Sequence, residues 1–194
     1  MTRRAQIERA TAETAVTVTL ALDGTGRADI RTGIGFLDHL YTALARHARF
    51  DVMLRCDGDL HLDDHHTAED TALAFGQALD QALGSRRGIR RFGWALAPLD
   101  EALARVAVDL SGRPFADVDL KLVREAIGTL SAENVPHVLR SFAFAARLTL
   151  HVDLLKGEND HHKAEAAFKA TALALQQAVA PSGVDDVPST KEAL

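Results

Sequence analysis

The sequence predicts an α+β fold made of two similar halves that pack together. A motif of the form Asp-His-His-x-x-Glu begins at Asp64 and begins again 96 positions later, at Asp160. The turn signal Asp23-Gly24 has a counterpart, Ser111-Gly112, 88 positions further along the chain. Segments with strand and helix patterns follow the same order around these landmarks. Together these observations indicate an internal duplication.

The first half has both strand and helix patterns. Alternating apolar and β-branched residues, bounded by turn residues, predict strands over residues 14–22, a short run ending near 30, 50–56 and 59–63. Apolar stripes at helical spacing predict helices over residues 36–47 and 65–83, with Gly84 where a C-terminal cap glycine belongs.

The second half repeats this order. Strands are predicted over residues 103–110, 116–123 and 148–155, and helices over 133–147 and 162–180. Pro136 is compatible with a helix if it lies in the first turn, where its missing N–H costs nothing. Each half is thus β-β-α-β-α, the first with one additional short strand. We expect halves at residues 1–88 and 89–181, connected through an Arg- and Gly-rich segment over 85–101, and an irregular tail over 182–194.

Composition argues against several classes of protein. The net charge of −5 and the pI near 6.0 speak against general binding of nucleic acid or of an anionic membrane surface. Cys56 is the single cysteine, so neither an intrachain disulfide nor a thiolate metal cage is possible. No apolar run reaches the ~18 residues of a membrane span, and the first residues lack the apolar region of a signal peptide. We expect a cytoplasmic protein without nucleic-acid or membrane partners.

The doubled motif predicts metal ligands at the start of two helices. Residues three and four apart share a helix face, so His66 and Glu69 can present an imidazole and a carboxylate to one metal. His65 points roughly 100° away and can serve a different metal. The second copy offers His161, His162 and Glu165 in the same way.

Two more histidines fit the duplication, His39 and His137, because each precedes its motif by a similar interval. Six imidazoles and two carboxylates suffice for two sites of three His and one Glu each, although the partition among them stays open. Nitrogen and oxygen donors without sulfur suit Mn, Fe or Zn, and favour Mn or Fe. Asp64 and Asp160 are expected to cap helices or to orient imidazoles rather than to bind metal.

Basic residues next to small residues predict a site for a small anion. They occur at residues 86–88, 90–93, 111–114 and 189–191. Lys169 is the strongest candidate, since it lies four residues after Glu165 and therefore on the same helix face.

These segments, taken in order, resemble imidazoleglycerol-phosphate dehydratase. The similarity covers nearly the whole chain and rests on Thr11-Ala-Glu13-Thr, Gly35-Phe-Leu-Asp-His39, Asp63-Asp-His-His-Thr-Ala-Glu-Asp70, Arg87-Gly-Ile-Arg-Arg-Phe-Gly93, Pro98-Leu-Asp-Glu-Ala102, Asp109-Leu-Ser-Gly-Arg-Pro114, the second motif with Lys169, and Pro188-Ser-Thr-Lys191. The resemblance implies a duplicated fold of the ribosomal protein S5 domain 2-like type. It implies Mn-dependent dehydration of D-erythro-imidazole glycerol phosphate to imidazole acetol phosphate, a step of histidine biosynthesis.

The resemblance also implies roles for individual residues and an assembly. Two manganese(II) ions per active site would be bound by His39, His65, His66, Glu69, His137, His161, His162 and Glu165. The substrate would be bound by Glu13, Arg91, Arg113, Lys169, Ser189, Thr190 and Lys191, so that the tail contributes to the active site. Glu13, Glu69 and Glu165 would be catalytic, with Glu13 or a metal-bound Glu transferring protons. The assembly would be a large octahedral homo-oligomer built from trimers, with active sites at subunit interfaces.

Three positions depart from the family pattern. Ala43 replaces a usual Gln, Pro136 a common Glu, and Glu192 a usual Gly. None of these changes removes a ligand. Two other functions stay open on the residues alone: a binuclear metal hydrolase acting on a phosphate ester, and a non-catalytic protein in which metals only hold subunits together.

Overall fold

Two four-stranded sheets form the framework of the chain, which a computed structural model describes over residues 3–191. In chain order the strands are β1 (Arg4–Ala10), β2 (Thr14–Ala21), β3 (Ala28–Arg31), β4 (Asp51–Gly58), β5 (Phe92–Leu99), β6 (Ala102–Asp109), β7 (Phe115–Asp119), β8 (Ala126–Ile127), β9 (Leu130–Ser131) and β10 (Thr149–Lys156). The helices are α1 (Gly35–Ala48), α2 (His65–Leu83), α3 (Asn134–Ala145) and α4 (Asp160–Val179).

The two sheets have the same topology. The first has the order β1-β2-β4-β3 and the second the order β5-β6-β10-β7. In each sheet the first two pairings are antiparallel. The third is parallel: β3 pairs with β4 across helix α1, and β7 pairs with β10 across helix α3. Each half is therefore β-β-β-α-β-α, which confirms the predicted duplicated α+β fold.

The four helices pack between the two sheets. Helix α2 lies on β1 and β2 while α4 lies on β5 and β6, and the halves meet where α2 packs against α3 and α1 against α4. The close approach of α2 and α3 depends on Gly76, because a Cβ there would lie 2.5 Å from the carbonyl oxygen of Phe142. Among the described residues, no helix is both long and apolar enough to cross a membrane.

The sequence prediction missed four strands, β1, β5 and the short β8 and β9, and one predicted strand is wrong. Strand β5 lies at residues 92–99 of the segment over 85–101 that was expected to be a connection. It was missed because its outward residues are apolar while its inward ones are small, which obscures the alternation. Strand β1 was missed because only Ala5 and Ile7 mark its inner face. Residues 59–63, expected to be a strand, form turns, and the strand predicted over 116–123 ends at Asp119.

The tail and an insertion distinguish the second half. Residues 181–191 run alongside residues 86–91, through a bridge between Ile89 and Pro181 and a hydrogen bond from the Gly88 N–H to the Asp186 carbonyl. Between β7 and α3 the chain inserts the small hairpin of β8 and β9, whereas β3 is joined to α1 by residues 32–34 alone.

Candidate metal centre

One group of potential ligands, the His39 cluster, joins the two halves. His39 lies in the second turn of α1, and His161 and Glu165 lie four residues apart at the start of α4. The Nε2 atoms of His39 and His161 are 2.9 and 3.2 Å from Oε2 of Glu165. The potential ligand atoms of this cluster all lie within 4.8 Å of one another, as one metal ion requires.

A second group, the His137 cluster, mirrors the first with the halves exchanged. His137 comes from α3, and His65 and Glu69 come from the first turns of α2. Nε2 of His137 is 3.2 Å from Oε1 of Glu69, and its ring stacks on that of His65 at 4.9 Å between centroids. Each cluster thus combines one imidazole from one half with an His-x-x-x-Glu pair from the other.

In this structure Glu69 lies with His65 rather than with His66, the residue that helix spacing paired with it. The i,i+4 residue His65 meets Glu69 instead, because the His66 ring is turned to Asp59, with 2.9 Å from Nδ1 to Oδ2. That hydrogen bond raises the pKa of His66 above its ordinary value. His162 is turned to Glu101 in the same manner, with Nδ1 2.7 Å from Oε2 of Glu101, and its pKa is raised by this contact. Among the described residues neither ring belongs to a cluster of its own chain, and Nε2 of His66 lies 3.6 Å from Oε1 of Glu13 while Nε2 of His162 lies 3.9 Å from Oδ2 of Asp100.

The first residue of each motif has a role other than the expected ones. Asp64 accepts hydrogen bonds from the Ser131 N–H and hydroxyl, at 2.6 and 2.8 Å. Asp160 accepts from the N–H groups of Val123 and Arg124, each at 2.7 Å. Neither carboxylate caps its helix or contacts an imidazole in the described part of the chain. Instead they fasten the inserted hairpin, at its two ends, to the helix starts that present the ligands.

The carboxylates of the two clusters have different surroundings. Glu165 is only 13% exposed, and its Oε1 lies 2.7 Å from Nζ of Lys169. Burial alone would raise its pKa, but hydrogen bonds from Lys169 and His39 outweigh that effect and hold the pKa at about 2. Glu69 is 39% exposed and has Leu73 at the position equivalent to Lys169.

The imidazoles of the two clusters also have different neighbours. Nδ1 of His65 is 3.2 Å from Oδ1 of Asn134, whereas the ring of His161 packs against Phe36 at 4.8 Å between centroids. Asn134 and Phe36 are equivalent positions, each three residues before the ligand histidine of its helix. Two imidazoles and one carboxylate in each cluster suit Mn, Fe or Zn and leave coordination positions for further ligands.

The residues predicted to bind phosphate gather at another place. Arg91 forms a two-point ion pair with Asp109, at 2.7 and 3.0 Å, and its Nη1 donates to the Pro188 carbonyl at 2.7 Å. Arg113 is exposed in the loop that follows β6. Ser189, Thr190 and Lys191 adjoin Pro188 in the tail, and Glu192 lies outside the described residues.

The structure places Arg91 of this basic set far from the His39 cluster of the same chain. The Arg91 N–H donates to the carbonyl of Ala178, near the end of α4. His161 lies 17 residues earlier on that helix, hence about 25 Å away at 1.5 Å per residue. Lys169 is the exception, since it lies beside Glu165.

Glu13 and its counterpart Glu101, 88 positions later, lie beside the second histidine of each motif. Glu101 is tied down, since it accepts from the N–H groups of Glu158 and Asn159 at 3.1 and 2.8 Å as well as contacting His162. The side chain of Glu13 is 51% exposed, and its charged contact among the described residues is Nε2 of His66 at 3.6 Å. Sequence reasoning missed Glu101 as a partner of His162, although the offset from Glu13 was available to find it.

Comparison with known proteins decides the family. The family model for imidazoleglycerol-phosphate dehydratase matches residues 32–175. The chain belongs to this family. It is therefore an enzyme of the hydro-lyase class, and the hydrolase and non-catalytic alternatives lose their support.

Individual relatives agree with this assignment. The chain is similar to the imidazoleglycerol-phosphate dehydratase of Eremothecium gossypii, with 52% identity over all of this chain and 98% of that one. It is 56% identical to the enzyme of Phytophthora nicotianae over 99% of this chain, which spans 42% of that relative's length. The solved imidazoleglycerol-phosphate dehydratase of Pyrococcus furiosus, in complex with (S)-C348, superposes with a TM-score of 0.84 at 35% identity, over 97% of this chain and all of that one.

Proposed function

We propose that the chain catalyses the manganese-dependent dehydration of D-erythro-imidazole glycerol phosphate to imidazole acetol phosphate, in histidine biosynthesis. The observation that supports this most is the pair of His-His-Glu clusters in a member of the dehydratase family. The chain then binds two manganese(II) ions, one at the His39 cluster and one at the His137 cluster. If there is one active site per chain, each active site has two ions.

The residues of the clusters have distinct tasks in this proposal. When bound, manganese supplies Lewis-acid stabilisation of negative charge that develops on the imidazole of the substrate. His39, His161 and Glu165 hold one ion, and His65, His137 and Glu69 the other. Asn134 fixes the ring of His65 through Nδ1, and Phe36 excludes water from one side of His161.

Glu13 is proposed to transfer the proton. Its carboxylate is exposed and lies beside His66, while the equivalent Glu101 is tied by three hydrogen bonds. Glu101 orients the ring of His162 by a hydrogen bond, whereas the ring of His66 is oriented by Asp59. Glu13 is therefore available for the substrate. Removal of a proton from one carbon of the glycerol chain and of hydroxide from its neighbour yields an enol, which becomes the ketone.

The separation of the proposed sites supports an active site shared between copies of the chain. The phosphate is proposed to be bound by Arg91, Arg113, Lys169, Ser189, Thr190 and Lys191. Lys169 lies beside Glu165, yet Arg91 lies about 25 Å from His161 along α4. A small substrate cannot bridge that distance. Among the described residues His66 and His162 belong to neither cluster of their own chain, so we propose that they complete the metal coordination of neighbouring copies.

We therefore propose a large octahedral homo-oligomer built from trimers. An exposed apolar surface on the outer face of the second sheet supports self-association, because single chains rarely expose several large apolar side chains together. The residues of this outer face are Phe92, Trp94, Leu96 and Phe115. The cytoplasm is the proposed location, and residues 1–88, 89–181 and 182–194 are the proposed first half, second half and active-site tail.

A dehydratase assay on metal-stripped protein tests the proposed function. Activity should be absent after stripping and should return when manganese(II) is added, with iron(II), zinc(II) and magnesium(II) run in parallel. The product should be a ketone, without release of inorganic phosphate. Failure of every metal to restore activity would overturn the proposal, and release of inorganic phosphate would favour the hydrolase instead. Dissociation by chelation without binding of any phosphate ester would favour the non-catalytic alternative.

A further inference from the structure

The two metal clusters are equivalent in backbone position but not in charge. Glu69 and Glu165 occupy the same place in the doubled motif, 96 positions apart. Four residues after each glutamate, on the same helix face, the first half has Leu73 and the second half has Lys169. Both positions are half-buried, so an aliphatic side chain in the first half stands where a cationic one stands in the second.

Lys169 offsets the negative charge of Glu165, the carboxylate proposed to bind metal at the His39 cluster. Its Nζ lies 2.7 Å from Oε1 of Glu165, and the two side chains are 20% and 13% exposed. Oε2 of the same carboxylate faces His39 and His161. A divalent ion bound there would lie only a few ångströms from the ammonium group. His39 and His161 are 46% and 41% exposed, but the low exposure of Glu165 and Lys169 leaves the repulsion between the ion and the ammonium less screened than between fully solvated charges.

The His137 cluster has no such cation among its described contacts. Glu69 has a salt-bridge contact with His137, a ligand of the same cluster, and no lysine or arginine of the described residues lies within ion-pair distance of it. The carboxylate therefore brings a full negative charge to the metal, whereas at the His39 cluster the charge of Glu165 is largely cancelled by Lys169.

We propose that the two clusters bind divalent metal with different affinity, and that Lys169 makes the His39 cluster the weaker site. The His137 cluster then fills first, and the His39 cluster fills at higher metal concentration. This rests on the proposed function in so far as both clusters bind metal. Lys169 acts here as a positioning and charge-tuning residue rather than as a catalytic one.

A titration of the metal-stripped full-length protein with manganese(II) alone tests the inference. Bound manganese per chain, measured by equilibrium dialysis and elemental analysis, should rise in two steps separated by at least tenfold in Kd. Lys169→Leu should tighten the weaker step at least tenfold and leave the tighter step unchanged. Leu73→Lys should weaken the tighter step at least tenfold. Each substitution imports the residue of the other half.

A matched control is Lys156→Gln, which removes the same charge at an exposed position on β10 and should change neither step. Equal affinity of both sites in the unsubstituted protein would overturn the inference, as would tightening of the stronger step by Lys169→Leu. If Lys169→Leu does not fold, as judged by circular dichroism, an unchanged titration of Leu73→Lys overturns it independently. Absence of any manganese binding would instead overturn the proposed metal dependence, and this inference with it.

Discussion

The two halves of the chain have the same backbone topology but differ in the chemistry of equivalent side chains. In both sheets two central strands lie between an antiparallel edge strand and a parallel one. The last helix of each half begins with the same motif. Glu13 is exposed where its equivalent Glu101 is tied down, and Leu73 stands where Lys169 stands in the second half. Duplication fixed the places from which ligands project, and substitution at a few equivalent places made the two sites different.

The largest expected effect contrasts the two equivalent glutamates. Glu13→Gln should lower kcat by about 10³-fold, within the range of positioned acid–base groups, while manganese content persists. Glu101→Gln should lower metal affinity by about 10- to 100-fold through loss of the orientation of His162. Steady-state kinetics and elemental analysis of both variants separate the two outcomes. Retained turnover in Glu13→Gln would remove Glu13 from the proton transfer.

The next effect contrasts the two aspartates that fasten the inserted hairpin. Asp160 and Lys163 form a buried ion pair at 2.7 Å, with side chains 0% and 6% exposed. Asp160→Asn leaves the buried ammonium without a counter-charge and should lower the free energy of unfolding by about 3–5 kcal/mol. Asp64→Asn affects hydrogen bonds to the neutral Ser131 and should cost about 1–2 kcal/mol.

Urea denaturation at one fixed chain concentration measures the loss of unfolding free energy in both variants. The double variant Asp160→Asn/Lys163→Met should recover part of the loss, because no unpaired charge stays buried. Equal costs for Asp160→Asn and Asp64→Asn would show that the buried charge contributes nothing beyond hydrogen bonding.

A smaller effect contrasts the outer faces of the two sheets. Trp94 and Leu96 on β5 are 67% and 58% exposed, and their equivalents on β1 are Gln6 and Glu8. Trp94→Gln, which imports the first-half residue, should weaken self-association by about 2 kcal/mol if Trp94 lies at the centre of an interface. Analytical ultracentrifugation measures the assembly, with Gln6→Ala as the matched control. Unchanged assembly in Trp94→Gln would exclude this face as the interface.

The smallest effect concerns Asp51 and its equivalent Thr149. Hydrogen bonds from the backbone N–H groups of Arg27 and Thr25 lower the pKa of Asp51. Because its folded pKa lies below its unfolded pKa, the stabilisation is present above the unfolded value and is lost as the pH falls through the folded one. Because solvent screens this exposed carboxylate, Asp51→Asn should cost less than about 1 kcal/mol at neutral pH and less still in acid. Thr149→Val should show no such pH dependence, and a pH-independent cost for Asp51→Asn would contradict this account.

Much of the architecture followed from local pattern. The helix predicted over residues 65–83 coincides with α2, because its apolar stripe and Gly84 mark both its buried face and its end. The duplication was also visible, since a repeated motif with matching offsets does not depend on packing. Strands β1 and β5 were not visible, because which face of an edge strand is buried depends on a helix that packs there from elsewhere in the sequence.

The sequence by itself determined which residues could bind metal, because a doubled His-His-x-x-Glu pattern specifies donor atoms and helix faces. Only the tertiary structure decided how they combine. His39 of α1 and His137 of α3 each meet the motif of the opposite half, and His66 and His162 turn to Asp59 and Glu101, which hold their rings. Helix spacing allows the glutamate of each motif to meet the histidine either three or four residues before it. Which histidine it meets depends on groups such as Asp59 and Glu101, which only folding brings near.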